Sequence, residues 1–210
     1  MEALQSIIED INKEFDAKSA VRDITLSRSR ELIRYCANSI RATHRGDNDE
    51  ALELLQTARE AAAQMVAEAR TYPDLYHAGY TQDALKELSE AHPTRAIILG
   101  EPLPTPESLS VESPAYLNGL AETAGELRRF ALDALRKGRV TEADRILGRM
   151  DDIYSVLVTV DFPSAITGGL RRNTDMVRGV LERTRGDVTT AVRQEAMKAA
   201  LEQFEQRTGA

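Results

Sequence analysis

From Pro114 to Gly138 the chain reads PAYLNGLAETAGELRRFALDALRKG, and Leu117, Leu120, Ala124, Leu127, Ala131, Ala134 and Leu135 recur at steps of three and four. A strand would need strict alternation, whereas this spacing gathers the apolar side chains on one face of an amphipathic α-helix. At roughly 100° per residue, Glu122, Glu126 and Asp133 fall on the other side, with Arg129 beside them. Spacing alone leaves two readings of that acidic stripe open: a solvated helix face, or part of a metal site.

The remaining segments predict more helices. Ile7, Ile8, Ile11 and Phe15 stripe a first segment that is expected to break between Asp16 and Ser19. It resumes through Val21, Ile24, Leu32, Ile33, Cys36 and Ile40, with Arg22, Arg28, Arg30, Arg34, Arg41 and Arg45 on its other side. Gly46 followed by Asp47 reads as a stop and a new cap, and Tyr72-Pro73 closes the next helix because a residue before proline is pushed out of the helical region. From Asp74 to Gly100 a weaker helical pattern contains Pro93, which is expected to kink or restart it. Gly100 to Pro114 carries four prolines and reads as a long loop that covers something or meets a partner.

After Gly138, Thr141 to Asp144 is a plausible cap for a helix carrying Ile146, Met150, Ile153 and Leu157. Pro163 suits the first position of another, expected to run to about Arg185 with Gly168 and Gly169 giving close helix contact. Gly186-Asp187 predicts a further stop before a last helix from Val188 to about Phe204, with a short polar tail from about residue 205. No strand pattern of useful length occurs. The expectation is an all-α chain of about seven helices in one domain over residues 1–210.

Bulk properties narrow the function. A net charge of −7 argues against a simple basic coat for DNA. One cysteine excludes an internal disulfide and, with an acidic, interrupted N-terminus and no long apolar run, predicts a cytoplasmic protein without a membrane partner. Glu87-x-x-Glu90 and Glu122-x-x-x-Glu126 each place two carboxylates on one helix face. Packed side by side, the two helices would gather four carboxylates, tolerable only around a divalent cation such as Mg²⁺ or Mn²⁺. No His lies three residues after a Glu, which excludes the di-iron bundle signature, and the scattered His and Cys do not suit zinc. Walker A, G-x-G-x-x-G and G-x-S-x-G patterns are absent, and Cys36 on an apolar face reads as core. His77, near Tyr76 and Tyr80, suits either nucleotide stacking or an ordinary structural role.

The run Tyr116-Leu117-Asn118-Gly119-Leu120-Ala121-Glu122-Thr123-Ala124-Gly125-Glu126-Leu127-Arg128-Arg129 resembles the Tyr-Leu-x-Gly-x-x-Asp/Glu-x-x-Gly-Glu-Leu-x-Arg signature of the translin and translin-associated factor X (TRAX) family. Leu85 to Ala91, Arg22-Asp23-Ile24, Ile153-Tyr154 and Gly169 to Asp175 resemble further stretches of it. The resemblance implies a seven-helix fold assembling into a closed homo-octamer. It also implies a TRAX-like, metal-dependent endoribonuclease acting on single-stranded RNA, with single-stranded DNA as a second nucleic-acid partner. Glu87, Glu90, Glu122 and Glu126 match the family's acidic positions and are the expected catalytic and metal-binding residues, for Mg²⁺ or Mn²⁺. The best-known catalytic members carry Asp where this chain has Glu122, one methylene longer. Arg22, Arg28, His77, Tyr80 and Arg129 are the expected RNA contacts. Two other functions fit parts of the pattern: a non-catalytic, translin-type nucleic-acid-binding oligomer, and an all-α nucleotide pyrophosphohydrolase, whose usual second motif, Glu-x-x-Asp, the chain lacks.

Overall fold

The apolar periodicity condenses into helices, and no strand occurs among the described residues, 1–208 of this computed structural model. The elements are α1 (Glu2–Arg45), α2 (Asn48–Ala69), α3 (Pro73–Tyr76), α4 (Gly79–Leu99), α5 (Pro106–Leu109), α6 (Ser113–Arg136), α7 (Val140–Leu157), α8 (Ser164–Thr167) and α9 (Leu170–Thr208). Three of these, α3, α5 and α8, are single turns of four residues.

Several boundaries fall where local chemistry puts them. Gly46 takes φ +85° after α1, and Asp47 N–H donates to Ala42 O at 3.0 Å, the left-handed closure that a Cβ would disfavour. Gly138 at φ +72° ends α6 in the same way, with Arg139 N–H donating to Ala134 O at 2.9 Å. Tyr72 is extended ahead of Pro73, which opens α3.

Elsewhere the structure departs from the local signal. The break expected at Asp16 to Ser19 is absent, since α1 runs unbroken for 44 residues and nothing in that stretch forbids helix. Pro93 does not restart α4; the helix passes through it, although proline supplies no N–H to the preceding turn. Ala91, Thr94 and Ala96 are buried on either side of it, and that burial holds the backbone helical. The cap of α7 is Arg139 rather than Thr141, and it makes no side-chain cap bond. The stop expected at Gly186 does not occur. The chain breaks instead at Gly168 and Gly169, at φ +61° and +84°, and no atom lies within 4 Å of where a Gly169 Cβ would stand, so this glycine makes no close helix contact. Through Gly186, α9 is held by buried Leu181, Thr184 and Val188, which outweigh the ~1 kcal/mol cost of a mid-helix glycine. The expected tail from residue 205 is helical to Thr208.

Contacts divide the chain into two compact units, residues 1–92 with 104–119, and residues 93–103 with 120–210. In the first, α1 lies along α2, and Leu32, Cys36, Leu55, Met65, Leu85 and Leu88 form the core. The proline-rich segment covers this core: Leu109 and Val111 are buried, Arg59 Nη2 donates to Ser108 O at 2.7 Å, and Tyr116 Oη donates to Pro104 O at 2.7 Å. In the second unit α7 packs on α9, burying Ile146, Met150, Leu157, Leu170, Val177 and Leu181. There Arg145 closes the end of α4, donating to Ile97 O at 3.1 Å and Ile98 O at 2.8 Å.

Cys36 is fully buried. Burial, followed by the charges of Glu87 and Glu90, holds its thiol protonated well above the ordinary range. Above pH ~9 the unfolded chain would release this proton while the folded chain keeps it, so the group lowers stability as pH rises. Native protein is therefore expected to react with a disulfide reagent at pH 8 at least about a hundredfold more slowly than urea-unfolded protein, because reaction must await an opening of the core. A rate equal to the unfolded one would show the core open at α1.

Candidate metal centre

Glu87 and Glu90 lie one turn apart on α4, and both are half-buried. What brings α6 to them is Gly119. A Cβ built there would stand 2.5 Å from Lys86 O, 2.6 Å from Ser89 Cβ and 2.7 Å from the Ser89 carbonyl carbon. Only a residue without a side chain permits so close a crossing. The contacted residues, Lys86 and Ser89, each directly precede one of the two glutamates. Ser89 is fully buried, and its hydroxyl donates back to Leu85 O at 2.9 Å, which spares the seam an unpaired polar group.

One turn beyond Gly119 along α6 stands Glu122, also half-buried. One carboxylate oxygen from each of Glu87, Glu90 and Glu122 can be chosen so that all lie within 4.8 Å of one another. Like charges so close and partly withdrawn from water repel, and a hard cation with oxygen preference relieves that repulsion. All three donors are carboxylates, the chemistry that Mg²⁺ and Mn²⁺ take and that zinc or copper sites do not favour. Glu126 is not in this group. It is half-buried a turn further on, with its Oε2 3.5 Å from Arg129 Nη1. The acidic stripe of α6 is therefore not uniform: Asp133, near its end, pairs at 3.2 Å with exposed Arg136.

No family model matches the chain. A curated relative, an uncharacterized protein of Methanocaldococcus jannaschii, is 33% identical over 177 residues, covering 83% of this chain and 78% of the relative. Among solved structures, Archaeoglobus C3PO in complex with duplex RNA superposes with a TM-score of 0.82 at 35% identity, covering 89% of this chain and 97% of that one. Archaeoglobus C3PO alone gives 0.81 at 34% identity over the same shares. C3PO is of translin/TRAX type. The chain belongs to the translin/TRAX family. Apo C3PO of Neurospora, at 21% identity, shares the translin/TRAX fold, with a TM-score of 0.80 over 88% of this chain and 96% of that one.

The remaining expected contacts of this translin/TRAX chain are dispersed. Arg22 is exposed on α1 beside Asp23, at 3.0 Å. Arg28 is committed to holding α1 on α2, donating to Gln64 Oε1 at 2.6 Å and Glu68 Oε1 at 2.8 Å. His77 caps α3, exposed, with its ring edge-on to Tyr76 at 4.8 Å. Tyr80 is half-buried in the first turn of α4, and its hydroxyl is enclosed without a hydrogen-bond partner among the described residues. Tyr76 is buried in the core. Chemistry-led reading missed Gly119, which has no functional group, and the influence of the Glu87 and Glu90 charges on Cys36, which no spacing along the chain encodes. The only signal for Gly119 was its place in the Tyr116 to Arg129 run.

Gly119→Ala is expected to destabilise the protein by roughly 1–3 kcal/mol, the usual cost of forcing extra atoms into a packed seam. It should also weaken Mn²⁺ binding, measured by calorimetry on folded protein at low temperature. Unchanged melting temperature and Mn²⁺ affinity would mean that α4 and α6 do not need this approach.

Proposed function

We propose that this chain is a metal-dependent endoribonuclease of TRAX type, carried above all by the convergence of Glu87, Glu90 and Glu122 within 4.8 Å. These three carboxylates would hold Mg²⁺ or Mn²⁺, with Glu126 completing the set directly or through a water. When bound, such a cation supplies a Lewis acid that neutralises phosphodiester charge and makes water a nucleophile near neutral pH. The chain's own part is to fix the oxygens. Gly119 sets the spacing of the two helices, and the half-buried seam limits the water around the carboxylates. Arg129, beside Glu126, offers a cation near a scissile phosphate. Gly125 is exposed, and no atom lies within 4 Å of the place of its missing side chain, which leaves an approach open between Glu122 and Glu126 on the helix surface. Hydrolysis of the phosphodiester would leave a 5′-phosphate and a 3′-hydroxyl.

RNA as the substrate rests on the family and on the duplex RNA held by Archaeoglobus C3PO. Self-association, as the proposed octamer, is supported by apolar side chains left bare at the two chain ends. Ile7, Ile8 and Phe15 on α1, and Met197, Leu201 and Phe204 on α9, are 48 to 63% exposed. The position of Glu126 outside the carboxylate group favours a second reading, a translin-type RNA-binding oligomer without catalysis.

Cleavage of fluorescent single-stranded and duplex RNA in Mg²⁺ separates the two. Glu122→Gln is expected to lower the rate by about a hundredfold or more, beyond the roughly 10–100-fold cost of disturbing only an outer shell of a metal site. RNA retention on a filter should be largely unchanged. Binding without cleavage in the unmodified protein, or cleavage that survives Glu122→Gln, selects the second reading.

A further inference from the structure

In the first unit, outside the acidic centre, lies a cavity of about 360 Å³. One wall is a stripe of α2: Arg59, Ala62, Ala63, Val66, Ala67 and, at the helix end, Arg70. Leu85 of α4 forms the floor, and residues 108–110 at the end of α5 form the opposite rim. Leu85 and Glu87 are two residues apart, about 200° around α4, so the cavity and the acidic centre use different faces of that helix. Its volume falls within the range of small-ligand pockets, roughly 300–1,000 Å³.

The composition of the walls is specific. Ala62, Ala63, Val66 and Ala67 make a shallow apolar surface of the kind that accepts a ring face, and no carboxylate lines the cavity among the described residues. A guanidinium stands at each end, the two residues being about 16 Å apart along the helix. Many arginines of this acidic chain are in ion pairs, among them Arg28, Arg45, Arg128, Arg139 and Arg185. Arg59 and Arg70 make none among the described residues. Arg59 is instead held by its bond to Ser108 O, which orders the side chain before any ligand arrives. Arg70 lies over the Tyr76 ring, 5.5 Å from its centroid, and the charge of Glu112 acts on the same phenol. The Arg59 end is thus the more electropositive of the two.

We propose that this cavity is a binding site for a nucleoside monophosphate, separate from the carboxylate centre, with Arg59 taking the phosphate and the Ala62 to Ala67 wall taking the base. The guanidinium fork matches two phosphate oxygens at once, and Arg70 closes the far end of the slot against the base edge.

Calorimetric titration of the full chain with AMP, in EDTA so that no metal occupies the carboxylates, tests the proposal. AMP is expected to bind at least about tenfold more tightly than inorganic phosphate, a difference of about 1.4 kcal/mol. Arg59→Ala should weaken AMP by about tenfold or more. Ala63→Phe, at an exposed position that leaves the core untouched, should fill the slot and abolish binding. Glu122→Gln should leave AMP affinity unchanged, so loss of RNA cleavage and loss of this site are read separately. No AMP binding, equal affinity for phosphate and AMP, or full AMP binding by Ala63→Phe would each overturn the assignment.

Discussion

The geometry of the acidic centre depends on one crossing, where the Gly119 backbone lies against Lys86 and Ser89. Helices are stiff, so fixing α6 at that point also fixes the residue one turn on, about 4.5 Å further along the axis. One carboxylate oxygen of Glu122 thereby comes within 4.8 Å of one from each of Glu87 and Glu90. Apolar faces anchor each helix: Leu85 and Leu88 of α4 are buried in the core of the first unit, and Ala121, Ala124 and Leu127 of α6 are fully buried as well. Each of these leucines contributes on the order of 1.5–3 kcal/mol when fully buried. A hard cation placed among these oxygens would lower their mutual repulsion.

Charge in this protein is organised locally rather than by its total. The surplus of acid amounts to −7, yet many arginines are held in ion pairs along helix surfaces, several of them to a carboxylate three residues away. Exposed pairs of this kind contribute little to stability. Their effect here is to neutralise cations locally, whereas Arg59 and Arg70, outside such pairs among the described residues, both line the cavity of the first unit. The acidic centre shows the converse, carboxylates gathered where ordinary surface chemistry would disperse them.

The two longest helices behave differently along their lengths. In α1 the residues up to Ile24 are largely exposed, while Leu32, Cys36 and Ile40 enter the core. In α9 Leu170, Val177 and Leu181 are buried, whereas Val192, Met197 and Leu201 are not. Most helical stability in proteins comes from packing an amphipathic face rather than from propensity, and the bare apolar residues are those the proposed assembly would cover. Periodicity reads a buried stripe and an unpartnered stripe alike, and so it predicted the stripe of Ile7, Ile8 and Phe15 without saying that this chain leaves it uncovered.

By itself the sequence determined the helical class, the glycine stops at Gly46 and Gly138, the extended Tyr72 before Pro73, and the family signature around Glu122. Each of these rests on local chemistry: side-chain period, left-handed backbone, proline sterics, or a residue pattern that can be read in one dimension. Only the tertiary structure decided that α1 does not break, that Pro93 sits inside a continuous helix, and that the late break falls at Gly168 and Gly169 rather than Gly186. At Pro93 and Gly186 propensity costs of about 3 and about 1 kcal/mol compete with burial that only the folded chain supplies, whereas the largely exposed Asp16 to Ser19 simply hold no residue that forbids helix. The same holds for the centre. The sequence named Glu87, Glu90, Glu122 and Glu126 as equals, but which carboxylates meet depends on the depth of a helix crossing, and that depth is set by the absence of one Cβ at Gly119.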